Sequence, residues 1–331
     1  MTMTELDRPT DSTEIEVDAD ASSPSDVDSI RSDLTSLSES IYSYVYENGR
    51  TYHAYGSGSY ILPNDEREQE RLDVMHHVFR LCLDGNLCQT KLEHPQRILD
   101  IGTGTGIWAV DIADEFPSAE VTGVDLSPIQ PGWIPPNLSF IIDDVTREWS
   151  FQPESFDFIH VRCFGGSIED WSTFLKQCYQ YLKPGGRIEV AESRAKLYCD
   201  DGSCPEDSYL YEWEREFNRI TEIQGRVWDI APQLPSLLRE ASFESVDTIE
   251  HVCPFGTWPK DPKLKEVGRY FRAQMIEGAM ESYSLALFTR FGGWKPVEVQ
   301  VLLAHMRAEL QSNKIHAYSK LSFNTAQKPM A

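Results

Sequence analysis

One stretch constrains this chain more than any other. Residues 97–106 read RILDIGTGTG, an apolar run that ends in an acid and then breaks into glycines at alternate positions. Ile98, Leu99 and Ile101 have the continuous apolar character of a strand buried on both faces. Gly102, Gly104 and Gly106 suit a tight turn, where positive φ is tolerated and no side chain blocks a ligand from the backbone. A helix starting near Ile107 would present unpaired N–H groups and the positive end of its dipole to that turn. Open α/β sheets bind ligands at such loops, at the carboxyl ends of their strands.

The rest of the chain agrees with an α/β reading. Strands are expected at 97–101, 119–125, 138–143, 156–162 and 187–192, with helices at about 106–115 and 169–182. The sequence Lys183-Pro184-Gly185-Gly186 reads as a turn before the fifth strand. Strands separated by helical segments mean βαβ units, a parallel sheet and right-handed crossovers. Helices follow at about 206–223 and 234–241, then a strand at 245–255, mostly helix over 257–312, and a terminal strand at 315–323. Upstream, a helix capped by Asn64 or Asp65 runs to about Cys82, with Leu72, Met75, Val78, Phe79 and Cys82 on one buried face.

Charge narrows the function classes. The net charge is −23, and residues 1–40 alone carry eleven acids against two arginines. Residues 1–38 are therefore expected to be a disordered acidic tail, with the folded domain over 39–331. A pI near 4.7 argues against a nucleic-acid partner, which requires a basic face. No run of 18 or more apolar residues and no secretory leader are present in the sequence, so neither a membrane span nor export is expected. Seven cysteines, without a CxxC pair, read as reduced thiols of a cytoplasmic or nuclear protein. No His/Cys/Asp cluster has the spacing of a metal site.

Three acids end three successive strands. Asp125 closes the second, 25 residues after Asp100, where a carboxylate accepts hydrogen bonds from both hydroxyls of a ribose. Asp143, Asp144 and Val145 close the third, where an acid would take the amino group of an adenine, Asp144 being preferred over Asp143. His160 and Arg162 interrupt the fourth strand; His160 is the one candidate general base, with a structural role as the competing reading. Glu192, ending the fifth, would orient a substrate or cap the next loop.

The spacing D-x-G-x-G-x-G from Asp100 resembles motif I of class I S-adenosylmethionine-dependent methyltransferases, and FDFI (156–159) and LKPGG (182–186) extend the likeness. Over nearly all of the chain beyond Tyr42 it resembles the fungal LaeA-like members. ENGRTYHAY (47–55), YILPNDEREQERLD (60–73), GVDLSPIQPGWIPPN (123–137), IDDVTREW (142–149), GSIEDW (166–171) and PFGTWPKDPKLKEVG (254–268) carry it.

The resemblance implies a class I, Rossmann-like fold. Its seven-stranded sheet would be mostly parallel with an antiparallel last strand, preceded by an N-terminal helical cover (39–95) and interrupted by a helical cap between the last two strands (257–312). It implies S-adenosylmethionine as methyl donor. It also implies a Tyr-His-x-Tyr segment, here Tyr52, His53 and Tyr55, folded over it. The candidate donor-binding set is then Tyr52, Tyr55, Asp100, Gly102, Thr103, Gly104, Gly106, Asp125, Leu126, Asp143, Asp144 and Val145.

Family function divides between enzymes acting on small-molecule intermediates of secondary metabolism and regulators working in a nuclear complex with a velvet-type protein partner. The aromatic helical insertion favours the first and the acidic tail the second. Methyl transfer from a sulfonium is an in-line displacement in which positioning supplies much of the acceleration, roughly 7–11 kcal/mol in favourable cases. A missing base is therefore no argument against activity.

Overall fold

The computed structural model describes residues 44–53 and 60–330. The expected acidic tail and Tyr55 lie outside the described residues. Seven strands form one sheet around the predicted loop: β3 (Arg97–Ile101), β4 (Glu120–Asp125), β5 (Leu138–Ile142), β6 (Phe156–Arg162), β7 (Leu182–Ser193), β8 (Glu244–Pro254) and β9 (Tyr318–Gln327). Their spatial order is β5-β4-β3-β6-β7-β9-β8. Neighbours from β5 to β7 pair in parallel, and β9 runs antiparallel to both β7 and β8. Strand order reverses direction between β3 and β6, and such a switch point opens a crevice for ligand at the strands' carboxyl ends.

Why the central strands sit where they do follows from their sequence. Ile98, Leu99, Ile101, Phe158, Ile159 and Val161 are essentially inaccessible, as expected of strands covered by helices on both faces. One face carries α2 (Ile107–Glu115), whose Trp108, Ala109 and Ile112 pack with Ile98 and Phe158. The other carries α3 (Trp171–Tyr181) and α5 (Leu234–Glu240), whose Phe174, Leu175, Leu234 and Leu238 join Ile159 and Val161.

Three expectations are corrected. Residues 183–186 are folded into β7 as a bulge instead of preceding it: Phe156 pairs with Leu182 and Phe158 with Arg187. Gly185, at φ 77°, donates its N–H to Lys328 O at 3.0 Å, so the chain's end closes over the bulge. The terminal strand is displaced to Tyr318–Gln327 because Asn324, a poor strand former by propensity, is fully buried and satisfied across the sheet. Its amide oxygen accepts from the Thr248 hydroxyl at 2.9 Å and its amide nitrogen donates to Val190 O.

The N-terminal cover, expected to be helical, opens with a hairpin, β1 (Tyr44–Glu47) and β2 (Arg50–His53). Asn48 and Gly49, at φ 52° and 81°, supply the left-handed pair that a two-residue hairpin turn demands. Helix α1 (Glu66–Cys82) follows, capped by Asp65, whose carboxylate accepts from Glu68 N at 3.0 Å.

The cap is helical as expected. It comprises α6 (Pro262–Gln274), a π-helical turn (Met275–Ala279), α7 (Met280–Arg290) and α8 (Pro296–Gln311). With α4 (Tyr209–Gln224) and α1 it encloses the largest apolar cluster. A buried ionic group ties cover to cap. Arg50 on β2 is paired in bidentate fashion with Asp65 (2.5 and 2.8 Å), and lies 3.5 Å from Glu281 on α7. Arg71 is held by Glu68 at 2.6 Å, and Ser282 donates to the other oxygen of Glu68. No helix among the described residues is long and apolar enough to cross a membrane, and all seven cysteines are free thiols.

Candidate active site

The glycine loop is held by backbone bonds to the neighbouring strand. Gly102 and Thr103 both donate to Val124 O, at 2.9 and 3.0 Å. Gly102, Gly104 and Gly106 all have positive φ (70°, 58° and 81°). At Gly102 a side chain has no room as well, since an added Cβ would lie 2.3 Å from the ring of Phe164.

Beneath the loop, Asp100 is buried with both oxygens committed. Thr103 Oγ1 donates to one at 2.6 Å and His160 Nδ1 to the other at 2.7 Å. The His160 ring is stacked on Trp108, 3.7 Å between centroids and 9° from parallel. Asp100, Thr103 and His160 thus form a brace under the loop.

His160, offered by the sequence as a base, is 2% exposed and lines neither of the cavities described below, a placement that favours its competing structural reading. His160→Gln is expected to lower turnover about tenfold or less without altering the shape of the pH–rate profile, since only a group that exchanges protons with substrate imprints its ionisation on that profile. Loss of one limb of the profile in this variant would restore the base assignment.

Above the loop lies a cavity of about 430 Å3. Gly102, Asp125, Leu126, Asp143, Asp144 and Val145 line it, so half of the twelve donor-site candidates converge on one space. Asp125 accepts from Gly104 N at 2.8 Å and Ser127 N at 2.9 Å. Desolvation pushes its carboxyl up to about 6 against the pull of those two hydrogen bonds. Asp144 is tied into its own turn, accepting from Thr146 N and Oγ1 and pairing with Arg147 at 3.3 Å. Asp143 accepts from Asp144 N at 2.8 Å.

The remaining candidates lie elsewhere. Gly104, Gly106, Asp100 and Thr103 shape and brace the loop without lining the cavity. Tyr52 is not at the cavity: it is 2% exposed with its ring under the Arg290 guanidinium at 4.8 Å, and burial pushes its phenol up to about 12. The neighbouring His53 lines the cavity instead, because successive residues of β2 face opposite ways.

The candidates read from sequence did not include Tyr60, Phe164, Ile168 and Arg226, which also line the cavity. The one available signal was FGGS directly after β6. Gly166, at φ 76°, leaves its Cβ position to the ring of Trp228, and the Phe164 ring lies against Gly102 of the glycine loop.

A second, smaller cavity of about 90 Å3 lies under the cap, walled by aromatic side chains from α4, α6 and α7. Glu192, at the carboxyl end of β7, reaches it, 2% exposed, accepting from Phe164 N at 2.7 Å and Gly165 N at 3.2 Å. Burial raises its carboxyl to about 8, opposed by those two N–H groups. Among the described residues no group of three or more His, Cys, Asp or Glu is placed to hold a metal ion.

A glycine loop after β3 and acids at the ends of β4 and β5 thus converge on one space above a mostly parallel α/β sheet. Comparison with known proteins sharpens this. Residues 74–286 match the family described as a methyltransferase domain. The chain is 44% identical over 317 residues to Methyltransferase pytC of Aspergillus terreus, covering 95% of this chain and 96% of that protein. It is 39% identical over 290 residues to Secondary metabolism regulator LAE1 of Cochliobolus heterostrophus (86% and 94% covered). It is 36% identical over 296 residues to Secondary metabolism regulator laeA of Aspergillus fumigatus (88% and 78% covered). The chain belongs to the LaeA-like, S-adenosylmethionine-dependent methyltransferases.

Proposed function

We propose that the 430 Å3 cavity is the seat of S-adenosylmethionine and that the chain methylates a small-molecule intermediate of secondary metabolism. The observation that carries the donor assignment is the convergence of Gly102, Asp125 and the 143–145 turn on one space of ligand size, within the usual range of roughly 300–1,000 Å3. Asp125 takes the ribose hydroxyls, Asp143, Asp144 and the Val145 N–H take the adenine edge, and the loop backbone faces the methionine moiety. The bound donor supplies an electrophilic methyl group. The protein's part is to hold it in line, keep water out beneath the cap, and position the acceptor.

A small acceptor is favoured over a protein because the space beside Glu192 is narrow, apolar and buried beneath α4, α6 and α7. The kinship to pytC, which bears the name of a methyltransferase and matches over almost its whole length, supports catalytic methyl transfer. The regulators LAE1 and laeA support the second reading, action through a velvet-type protein partner. Untargeted metabolite comparison of a deletion strain with its parent separates them. Loss of one methylated product is the expected result; a broad collapse of many metabolites would favour the regulator.

Asp125 gives the donor site a pH signature. Its carboxyl must be ionised to accept from both ribose hydroxyls, and in the free protein it titrates near 6. Donor affinity is therefore expected to be flat above pH 7 and to weaken by up to about tenfold per unit below pH 6. In Asp125→Asn the affinity should be weaker throughout and lose this dependence. The same shift acts oppositely on the ligand-free fold. A carboxyl that is more basic folded than unfolded adds stability below about pH 4 that is lost as pH rises through 6. Calorimetric titration with S-adenosylmethionine between pH 5 and pH 8 checks the binding half, and an unchanged affinity across that window would remove Asp125 from the site.

A further inference from the structure

The 90 Å3 cavity is built from Trp213, Phe217, Trp228, Phe255, Phe271 and Tyr283, around one buried acid. It has room for a ring-sized apolar fragment, on the order of the cavities that hold benzene in protein cores. Glu192 shares this space with the loop that divides it from the larger cavity, since Phe164 lines the larger cavity and Gly165 the smaller. Each carboxylate oxygen takes one N–H from that loop. A carboxylate offers about four acceptor sites, so two remain. The anchored acid thus sits at the partition between donor space and aromatic space.

An aromatic cage with an acid fits either an ammonium or a neutral ring. The surrounding charges bear on the choice. Arg71 lies 5.6 Å from the centre of the Tyr283 ring. Arg71 and Arg162 both draw down the thiol of Cys163 in the cavity wall, although burial outweighs them and raises it to about 12. Arg194 and Lys196 are also part of the lining. Arg71 is paired with Glu68, and Arg194 with Asp229 and Glu250. The lining's own balance is thus two cations, Arg194 and Lys196, against the single acid Glu192, which does not favour a further ammonium over a neutral ring. The ionisable groups facing Glu192 are Cys163, Tyr283 and Asp229, with Arg194 and Lys196 in the lining.

Resting on the donor assignment above, we propose that this cavity receives a flat ring of the acceptor bearing a phenol- or enol-type hydroxyl, and that Glu192 is the general base for that hydroxyl. The bond formed joins the acceptor oxygen to the methyl carbon. The bond broken is methyl carbon to sulfur, its electron pair remaining on sulfur, and the hydroxyl proton passes to the Glu192 carboxylate. Because the acid titrates near 8, its conjugate base is strong enough to share a phenolic proton, and rate should rise with pH through that value.

The test uses the full chain with S-adenosylmethionine and three probes: phenol, 4-nitrophenol and benzylamine. Phenol is expected to quench tryptophan fluorescence through Trp213 and Trp228, and to be methylated with kcat/KM rising through about pH 8. Glu192→Gln should lower transfer to phenol about 100-fold but transfer to 4-nitrophenol, which ionises unaided, by less than about fivefold. Glu192→Asp should keep the pH dependence at reduced rate, and it replaces Glu192→Gln should that variant fail to fold. Equal losses for the two phenols would overturn the base. Preference for benzylamine, or neither quenching nor transfer with phenol while the donor binds normally, would overturn the acceptor class. Failure of the wild-type chain to bind S-adenosylmethionine by calorimetry would instead sink the donor assignment on which this rests.

Discussion

Gly102→Ala is expected to lower S-adenosylmethionine affinity by about 100-fold or more, whereas Gly104→Ala should cost about tenfold. Both glycines have positive φ, so both variants bear the strain of a left-handed residue, roughly 1–2 kcal/mol. They differ in what the new methyl group meets. At Gly104 the nearest atom is Leu72 Cδ1 at 3.4 Å, an ordinary contact. At Gly102 it is Phe164 Cε2 at 2.3 Å, and that ring is itself a wall of the donor cavity, packed on Phe174. The ring yields only by moving into the space the donor needs, and overpacking of this kind adds about 1–3 kcal/mol. Titration calorimetry on both variants, with circular dichroism to verify folding, measures the difference. Equal losses would mean that Phe164 is not part of the donor cavity.

The largest effect on stability is expected at Glu68→Ala. Glu68 is 2% exposed and is the shared partner of Arg71 and Ser282, with Arg50 at 3.7 Å. Its removal leaves the Arg71 guanidinium, with 4% of its side chain exposed, as a buried charge without its carboxylate. Breaking one side of a buried pair typically costs about 3–5 kcal/mol, much of it the unpaired charge left behind. Because the group joins β2 and α1 to α7, the cover and the cap should loosen together. Urea unfolding should show the loss, and Glu68→Gln, which retains an acceptor for Arg71, should lose less. A destabilisation under about 1 kcal/mol in Glu68→Ala would show that water enters and solvates the arginines.

The legible parts of this molecule are those whose physics is local. Strands β3 to β6 stand within a residue of their expected ends, because apolar runs bounded by glycine, proline and acids encode a buried parallel strand without help from distant residues. The hairpin turn at Asn48-Gly49 is equally local, set by two adjacent residues of positive φ between strands whose Tyr44 and Tyr46 are exposed. The bulge at 183–186 and the displaced β9 were not local: both depend on the chain's end, where Lys328 O meets Gly185 N and Asn324 meets Thr248.

For the site, sequence by itself determined that a glycine loop follows β3 and that acids end β4 and β5, since contiguous residues specify both. Which of these face one cavity was decided by tertiary structure. Asp100 looks like a ligand-binding acid in sequence, yet it is buried beneath the loop, accepting from Thr103 and His160, and lines neither cavity. Tyr52 looks like a cover residue, yet the pleat of β2 turns it to Arg290 and presents His53. The smaller cavity draws on residues from 163 to 319, which only the fold brings together. Glu192 acquires its character there, because burial, which only the assembled fold provides, turns an ordinary strand-end carboxylate into a group that titrates near 8.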